Sequence, residues 1–242
     1  MSQSRVESVL TQDGAFDLTV WLPDAGAGPG LLLIQEIYGV SDYIRAVGED
    51  LAGLGYVVAA PDLFWRLKPR FQAAHDEAGL AESLELSSRF DAEQGVADAA
   101  AALQHLRSLP EVADGLGVVG FCLGGSIAFF LATRGGLDAV VSFYGSAVPG
   151  HLEALEQIDS PLQFHFGGSD SYIPRDQVAS VERAAAGRDN VEIHVEEDAG
   201  HAFHNRKAPM FYVPGPAARA WQRTEEFLRR HLPVTETTPS PS

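Results

Sequence analysis

Along almost the whole chain, short apolar runs alternate with longer stretches whose apolar residues recur at helical spacing. Near the start, Arg5–Thr11 and Ala15–Leu22 alternate apolar and polar positions around Gln12-Asp13-Gly14, the pattern of a hairpin. A Gly/Ala/Pro-rich loop, Pro23–Pro29, follows. Gly30–Ile34 is a continuous apolar run, as expected of a strand buried on both faces. Ser41–Leu54 reads as a helix, with Ser41 or Asp42 as N-cap and Gly55 beyond its end. Tyr56–Ala60 reads as a second buried strand stopped by Pro61. Between Asp91 and Leu109, Val96, Ala99, Leu103 and Leu106 share one face of a long helix. Gly117–Phe121 is a strand, Ile127–Thr133 an apolar helix, and Ala139–Tyr144 and Leu162–Phe166 are further strands. Val178–Ala186 is a helix, Val191–Val195 a last strand, and Pro216–Leu232 an amphipathic helix with proline where a helix start tolerates it.

Strands alternating with helices predict an α/β fold: a mostly parallel central sheet with helices on both faces, preceded by a β-hairpin. No repeat and no linker divides the chain, so residues 1–234 are expected to form a single domain. Within it, residues 64–90 are polar and aromatic by turns and are expected to form a small cap-like region. The Pro/Ser/Thr-rich stretch 235–242 is expected to be a disordered tail.

The 242 residues carry 33 acidic and 17 basic side chains, a net charge of -16. Such a surface repels phosphate backbones, so nucleic acid is not expected as a partner. It also repels anionic small molecules at long range, so an anionic ligand would need a local cation. No apolar run is long enough for a bilayer, and Met1–Val9 has no basic segment followed by an apolar one. A single cysteine rules out an intramolecular disulfide, and a free thiol fits a cytoplasmic location. A monomer is expected, and a dimer is compatible with the composition.

That cysteine lies in Gly120-Phe121-Cys122-Leu123-Gly124-Gly125, between an apolar strand and an apolar helix. The stretch has the form of the nucleophile elbow of α/β-hydrolases, with sulfur in place of the serine oxygen. In that fold the nucleophile, acid and histidine follow in this chain order, each on a loop after a strand. Asp170 follows Leu162–Phe166, and His201 follows Val191–Val195. Such loops meet at one edge of a parallel sheet. His201 is placed to take the thiol proton and return it to a leaving group, and Asp170 to orient the imidazole. The start of a helix also favours thiolate. Backbone N–H groups of Leu123 and Ile37 are the candidate oxyanion donors. Each residue also has a plainer reading: Cys122 as part of a structural turn, Asp170 as a helix cap, His201 as one of eight histidines. The His201-x-x-His204 pair with His194 lacks a metal-site context, so no metal and no cofactor is expected.

Five segments together carry a resemblance: Gln35-Glu36-Ile37-Tyr38-Gly39-Val40, Ala60-Pro61-Asp62-Leu63, the Cys122 elbow, Phe166-Gly167-Gly168-Ser169-Asp170 and Ala199-Gly200-His201-Ala202-Phe203. From about Arg5 to Leu232 the chain resembles the dienelactone hydrolases (carboxymethylenebutenolidases), members of the α/β-hydrolase fold. The resemblance implies Cys122 as nucleophile and Asp170 and His201 as its partners. It also implies that Glu36 is a carboxylate that contacts the resting thiol, with substrate releasing the thiolate toward histidine. On its own residues, Glu36 reads either as a site-edge carboxylate acting on the thiol proton or as an exposed loop residue.

The chain departs from the family's best-studied members where they hold a substrate carboxylate with an arginine and a tyrosine on a cap helix. Those positions are Leu80 and Leu84 here, and Arg206 is offset by one residue from a second family arginine. With Phe64, Trp65 and Phe71, the two leucines read as an apolar pocket or as cap core. Tyr38, Leu80, Leu84, Tyr144, Phe203 and Arg206 are the candidate substrate contacts. The expected function is hydrolysis of lactones or enol esters through a cysteine thioester. The alternatives are a carboxylesterase of small neutral esters and a non-catalytic relative that binds a small molecule. A redox-sensing thiol would lack a resolving cysteine.

Overall fold

A computed structural model describes residues 3–234, so the tail expected over 235–242 lies outside the described residues. The hairpin forms from β1 (Gln3–Thr11) and β2 (Gly14–Leu22). Then come β3 (Gly28–Ile34), α1 (Asp42–Gly53), β4 (Val57–Pro61), α2 (Glu77–Ser88) and α3 (Ala92–Ser108). The second half runs β5 (Val112–Phe121), α4 (Leu123–Ala132), β6 (Ala139–Phe143), β7 (Leu162–Gly167), α5 (Arg175–Ala184), β8 (Val191–Glu196) and α6 (Pro214–His231). The eight strands form one sheet in the order β1-β2-β4-β3-β5-β6-β7-β8. β1 and β2, and β2 and β4, pair antiparallel, and every later pair is parallel.

Helices cover both faces because successive strand residues point to opposite sides. A methyl group on Gly30 of β3 would press on Leu106 of α3. The next residue, Leu31, lies on the other face, where a methyl on its partner Gly117 would meet Leu31 and Leu232 at 2.9 Å each. β3, β4, β6 and β7 are buried throughout, which explains the apolar runs of β3 and β4, while β6 and β7 also bury the polar Ser142, Gln163 and His165. No helix among the described residues is long and apolar enough to cross a membrane.

Several boundaries differ from the sequence pattern: β5 begins at Val112 rather than Gly117, and α5 at Arg175 rather than Val178. Pro61 ends β4 from within, opposite Leu18, rather than stopping the strand before it. α4 starts at Leu123 instead of Ile127 because its first turn is glycine and serine, buried by tertiary contacts that a periodicity cannot reveal. The cap region contains a regular helix, α2, whose buried residues Gly79, Ser83 and Leu86 make no apolar stripe. Asp76 caps it, accepting from the Gly79 N–H at 2.8 Å. Beside α2, Phe64, Phe71 and Leu86 form a small separate core with Phe90. Trp65 packs on Phe16 and donates to Asp98 at 2.9 Å, and Arg66 pairs with the same carboxylate.

One layer below the C-terminal strand ends, four flat rings stack across four adjacent strands. His194, His165, Phe143 and Phe121 stand in register, with centroids 5.3, 4.4 and 4.6 Å apart. His204 lies against Phe121, and the Tyr43 hydroxyl meets its Nδ1 at 2.8 Å. Burial holds His165 well below its ordinary 6.5 and pushes His204 down to about 3, helped by nearby Arg206.

A histidine kept neutral in the fold but free to charge when unfolded stabilises fully above pH 6.5. That contribution falls by about 1.4 kcal/mol per pH unit below it. His204→Gln is therefore expected to lose less melting temperature than the wild type between pH 6.5 and 4.5. Thermal melts across that range check this, and parallel curves would remove His204 as a source of acid sensitivity.

Candidate active site

The site is built on a strained turn. Between β5 and α4, Cys122 adopts φ 54° and ψ −114°, a conformation a non-glycine residue holds only when its surroundings enforce it. Its N–H donates to the Phe143 carbonyl of β6 at 3.0 Å, and its own carbonyl accepts from Ser126 at 3.1 Å. Two glycines allow the close approach. A Cβ on Gly120 would sit 2.0 Å from the Gly124 carbonyl oxygen, and one on Gly124 would sit 2.3 Å from that of Ile34. The turn thus depends on hydrogen at both positions, and it thrusts the thiol out above the sheet.

The loops after β7 and β8 deliver the other two groups. His201 Nε2 lies 3.1 Å from Cys122 Sγ, and its Nδ1 lies 2.7 Å from Asp170 Oδ2. Asp170 Oδ1 accepts the N–H groups of Tyr172 and Ile173 at 2.7 and 3.2 Å. One oxygen therefore closes a turn while the other holds the imidazole, and Asp170 does not cap a helix, since α5 starts after Pro174 without a side-chain cap. Burial alone would disfavour imidazolium, but the Cys122 sulfur and the Asp170 carboxylate outweigh it and raise His201 to about 10. This favours an imidazolium between the Cys122 sulfur and the Asp170 carboxylate. Tyr144 and Tyr172 flank the imidazole, with centroids 5.2 and 4.9 Å away.

Glu36, just beyond β3, is 1% exposed and so is not a solvated loop residue. Its Oε1 accepts from Asn205 Nδ2 at 2.7 Å and faces His75 Nε2 at 3.2 Å. The carboxylate thus bonds to these two residues while the sulfur turns to His201. Burial raises Glu36 above its ordinary range, against the pull of His75, His201 and Asn205. Among the described residues, neither the Ile37 nor the Leu123 amide has a backbone acceptor; Leu123 opens α4, where the first N–H groups lack intrahelical partners.

Over these groups lies a pocket of about 200 Å³. Cys122, His201, Glu36 and Ile37 form its reactive side, and Tyr38, Leu80, Leu84, Tyr172 and Phe211 much of its wall. Of the candidate substrate contacts, Tyr38, Leu80 and Leu84 line it. The other three do not. Tyr144 and Phe203 are fully buried beneath it, and Arg206 pairs with Asp50 at 2.6 Å. Among the described residues, no lysine or arginine lines the pocket. Phe64 and Phe71 belong to the cap core rather than to the pocket. Sequence reasoning missed His75, Asn205 and Tyr172. Asn205 and Tyr172 lie within four residues of His201 and Asp170, but only the folded loops show that they turn inward.

The sheet order, the strand-to-helix turn and the apolar pocket at the strand ends define an ester or lactone hydrolase of the α/β-hydrolase fold. The sequence model of the dienelactone hydrolase family matches residues 16–232, and the chain belongs to that family. It is 32% identical over 223 residues to a carboxymethylenebutenolidase of Pseudomonas putida, covering 91% of this chain and 94% of that one. A carboxymethylenebutenolidase of Rhodococcus opacus is 31% identical over 222 residues, covering 87% and 84%. A solved structure from Klebsiella pneumoniae superimposes with a TM-score of 0.82 at 26% identity, over 95% of this chain and 99% of that one. The dienelactone hydrolase of Anabaena variabilis shares the fold, with a TM-score of 0.71 at 20% identity over 96% and 99%.

An ordinary thiol ionises near pH 8.5 and loses about tenfold in alkylation rate for each pH unit below that. With the His201 imidazole 3.1 Å from its sulfur, Cys122 is expected to react with iodoacetamide faster than an ordinary thiol at pH 7. His201→Gln should return it to ordinary thiol behaviour. The sole cysteine makes labelling, read by mass spectrometry, unambiguous, and identical rates would show that His201 does not activate the thiol.

Proposed function

We propose that the chain hydrolyses small neutral enol esters, aryl esters or lactones through a thioester on Cys122. The observation that carries this reading is the Cys122–His201–Asp170 line at 3.1 and 2.7 Å, opening on a pocket without a cation. The thiolate attacks the carbonyl carbon, and the carbonyl π electrons move to its oxygen. The Ile37 and Leu123 N–H groups receive that oxyanion. On collapse, the bond to the leaving oxygen breaks and His201 gives that oxygen its proton. A water then loses a proton to His201 and attacks the thioester, and the departing sulfur restores the resting pair. In a lactone the leaving oxygen stays tethered to the acyl group, so one ring-opened hydroxy acid or its keto tautomer is released.

Sulfur chemistry narrows the alcohol side. A thiolate leaves a tetrahedral intermediate more readily than an alkoxide, so plain alkyl esters mostly revert to substrate. Enolate and phenolate leaving groups compete with sulfur and let acylation proceed. Pocket chemistry narrows the acyl side. Leu80 and Leu84 offer no partner to a carboxylate, Arg206 is engaged by Asp50, and the net charge of -16 repels anions.

Wild type is expected to hydrolyse p-nitrophenyl acetate and a neutral enol lactone, whereas Cys122→Ala should lose at least about a thousandfold in kcat/KM. Equal rates for the two proteins would remove Cys122 from the chemistry. A neutral enol lactone should be preferred over its carboxylated analogue by about tenfold or more, and Leu80→Arg should narrow that ratio. A wild-type preference for the carboxylated compound would overturn the neutral-substrate reading and leave the hydrolase reading standing.

A further inference from the structure

The segment leading into α2 reaches down to the active-site carboxylate. Gln72 bridges to Gly39, and the Ala73 N–H donates to the Tyr38 carbonyl at 3.2 Å. The chain is thereby laid against the Glu36–Gly39 loop. His75 follows, with its side chain 7% exposed and its ring 4.4 Å from that of Tyr38. Its Nε2 faces Glu36 Oε1, and the next residue, Asp76, caps α2. α2 in turn carries Leu80 and Leu84 to the pocket wall.

We propose that His75 is a positioning residue: by donating to Glu36 Oε1 it ties the start of α2 to the carboxylate and sets how strongly that carboxylate opposes the Cys122 thiolate. The inference rests on Cys122 being the reactive group.

The hydrogen-bond directions follow from the neighbours. The Lys207 N–H donates to Asn205 Oδ1 at 3.0 Å, which fixes the Asn205 NH2 toward Glu36. When Glu36 is ionised it only accepts, and His75 Nε2 is then the donor. Both donors converge on Oε1, and among the described residues Oε2 has no hydrogen-bond partner. Two donated bonds favour the charged form of a buried carboxylate. The other titratable groups facing Glu36 are Cys122 and His201 in the pocket, Tyr38 on its own loop, Tyr43 of α1 and Tyr144 after β6. Asp42 and Lys207 share a shallow surface cleft with His75.

Removing the His75 donor leaves Glu36 protonated to higher pH, so less negative charge opposes the thiolate on the acid side. The test is the pH profile of Cys122 alkylation by iodoacetamide, which needs no substrate and stands apart from the hydrolysis assays. His75→Phe keeps a ring against Tyr38 and removes the donor; His75→Leu serves the same purpose if phenylalanine is not accommodated. His75→Gln keeps a donor and removes the ring. At pH 6 the Phe variant is expected to react about threefold faster than wild type, the effect of half a unit in the thiol's ionisation. The Gln variant should follow wild type. In a Glu36→Gln background, His75→Phe should change nothing further. The proposal fails if the Phe and Gln variants behave alike, if the Phe profile matches wild type, or if the change persists without the Glu36 carboxylate.

Discussion

The left-handed backbone of Cys122 is the constraint on which the rest of the site depends. It costs on the order of 1–3 kcal/mol, and it persists because its neighbours leave no alternative. The Gly124 carbonyl occupies the space a Gly120 side chain would need, and the Ile34 carbonyl that of a Gly124 side chain. β3 and β6 thus grip the turn from both sides, and the same β3 runs on into Glu36 and Ile37. The nucleophile candidate, the neighbouring carboxylate and one candidate oxyanion donor are fixed relative to one another by a few backbone contacts. His201 needs only the Asp170 bond to complete the line.

Electrostatics separates the two ends of the pocket. Around the sulfur, His201 and Asp170 favour separated charges. Away from it, the wall is hydrocarbon and tyrosine, supplied by α2 and the loops after β7 and β8. A protein of this net charge has little means of drawing in an anion, and its nearest candidate cation, Arg206, is spent on Asp50. The cap thus differs from the rest of the site in origin as well as in chemistry. The sheet fixes the reactive groups, whereas a separately packed helix with its own Phe64–Phe71–Leu86 core fixes the shape of the pocket.

Most of the sheet is legible in the sequence because strands buried on both faces leave continuous apolar runs. Cys122, Asp170 and His201 are legible because each follows a strand-like segment in a glycine-containing stretch, in the chain order of an α/β-hydrolase. What escapes is decided by packing between distant segments. α2 hides because its buried face is glycine and serine as much as leucine. Asn205 and Arg206 are adjacent in sequence, yet the turn after Ala202 (φ 55°) sends the amide to Glu36 and the guanidinium to Asp50. His75 has no motif at all; its position is set by a two-residue bridge to the loop after β3. The family resemblance supplies Glu36, but not the partners that hold it.

From β5 to β8 the order of strands in space is also their order in the chain. This half of the sheet can therefore grow outward as the polypeptide leaves the ribosome, each new strand adding to the edge left by the last. Cys122 and His201 lie 79 residues apart. At about 5–20 residues per second, several seconds separate their synthesis. During that interval the elbow can form on β3, β5 and β6 while its thiol has no imidazole to ionise it. Cys122 and His201 can meet only once β8 has been made and has docked at the edge of the sheet.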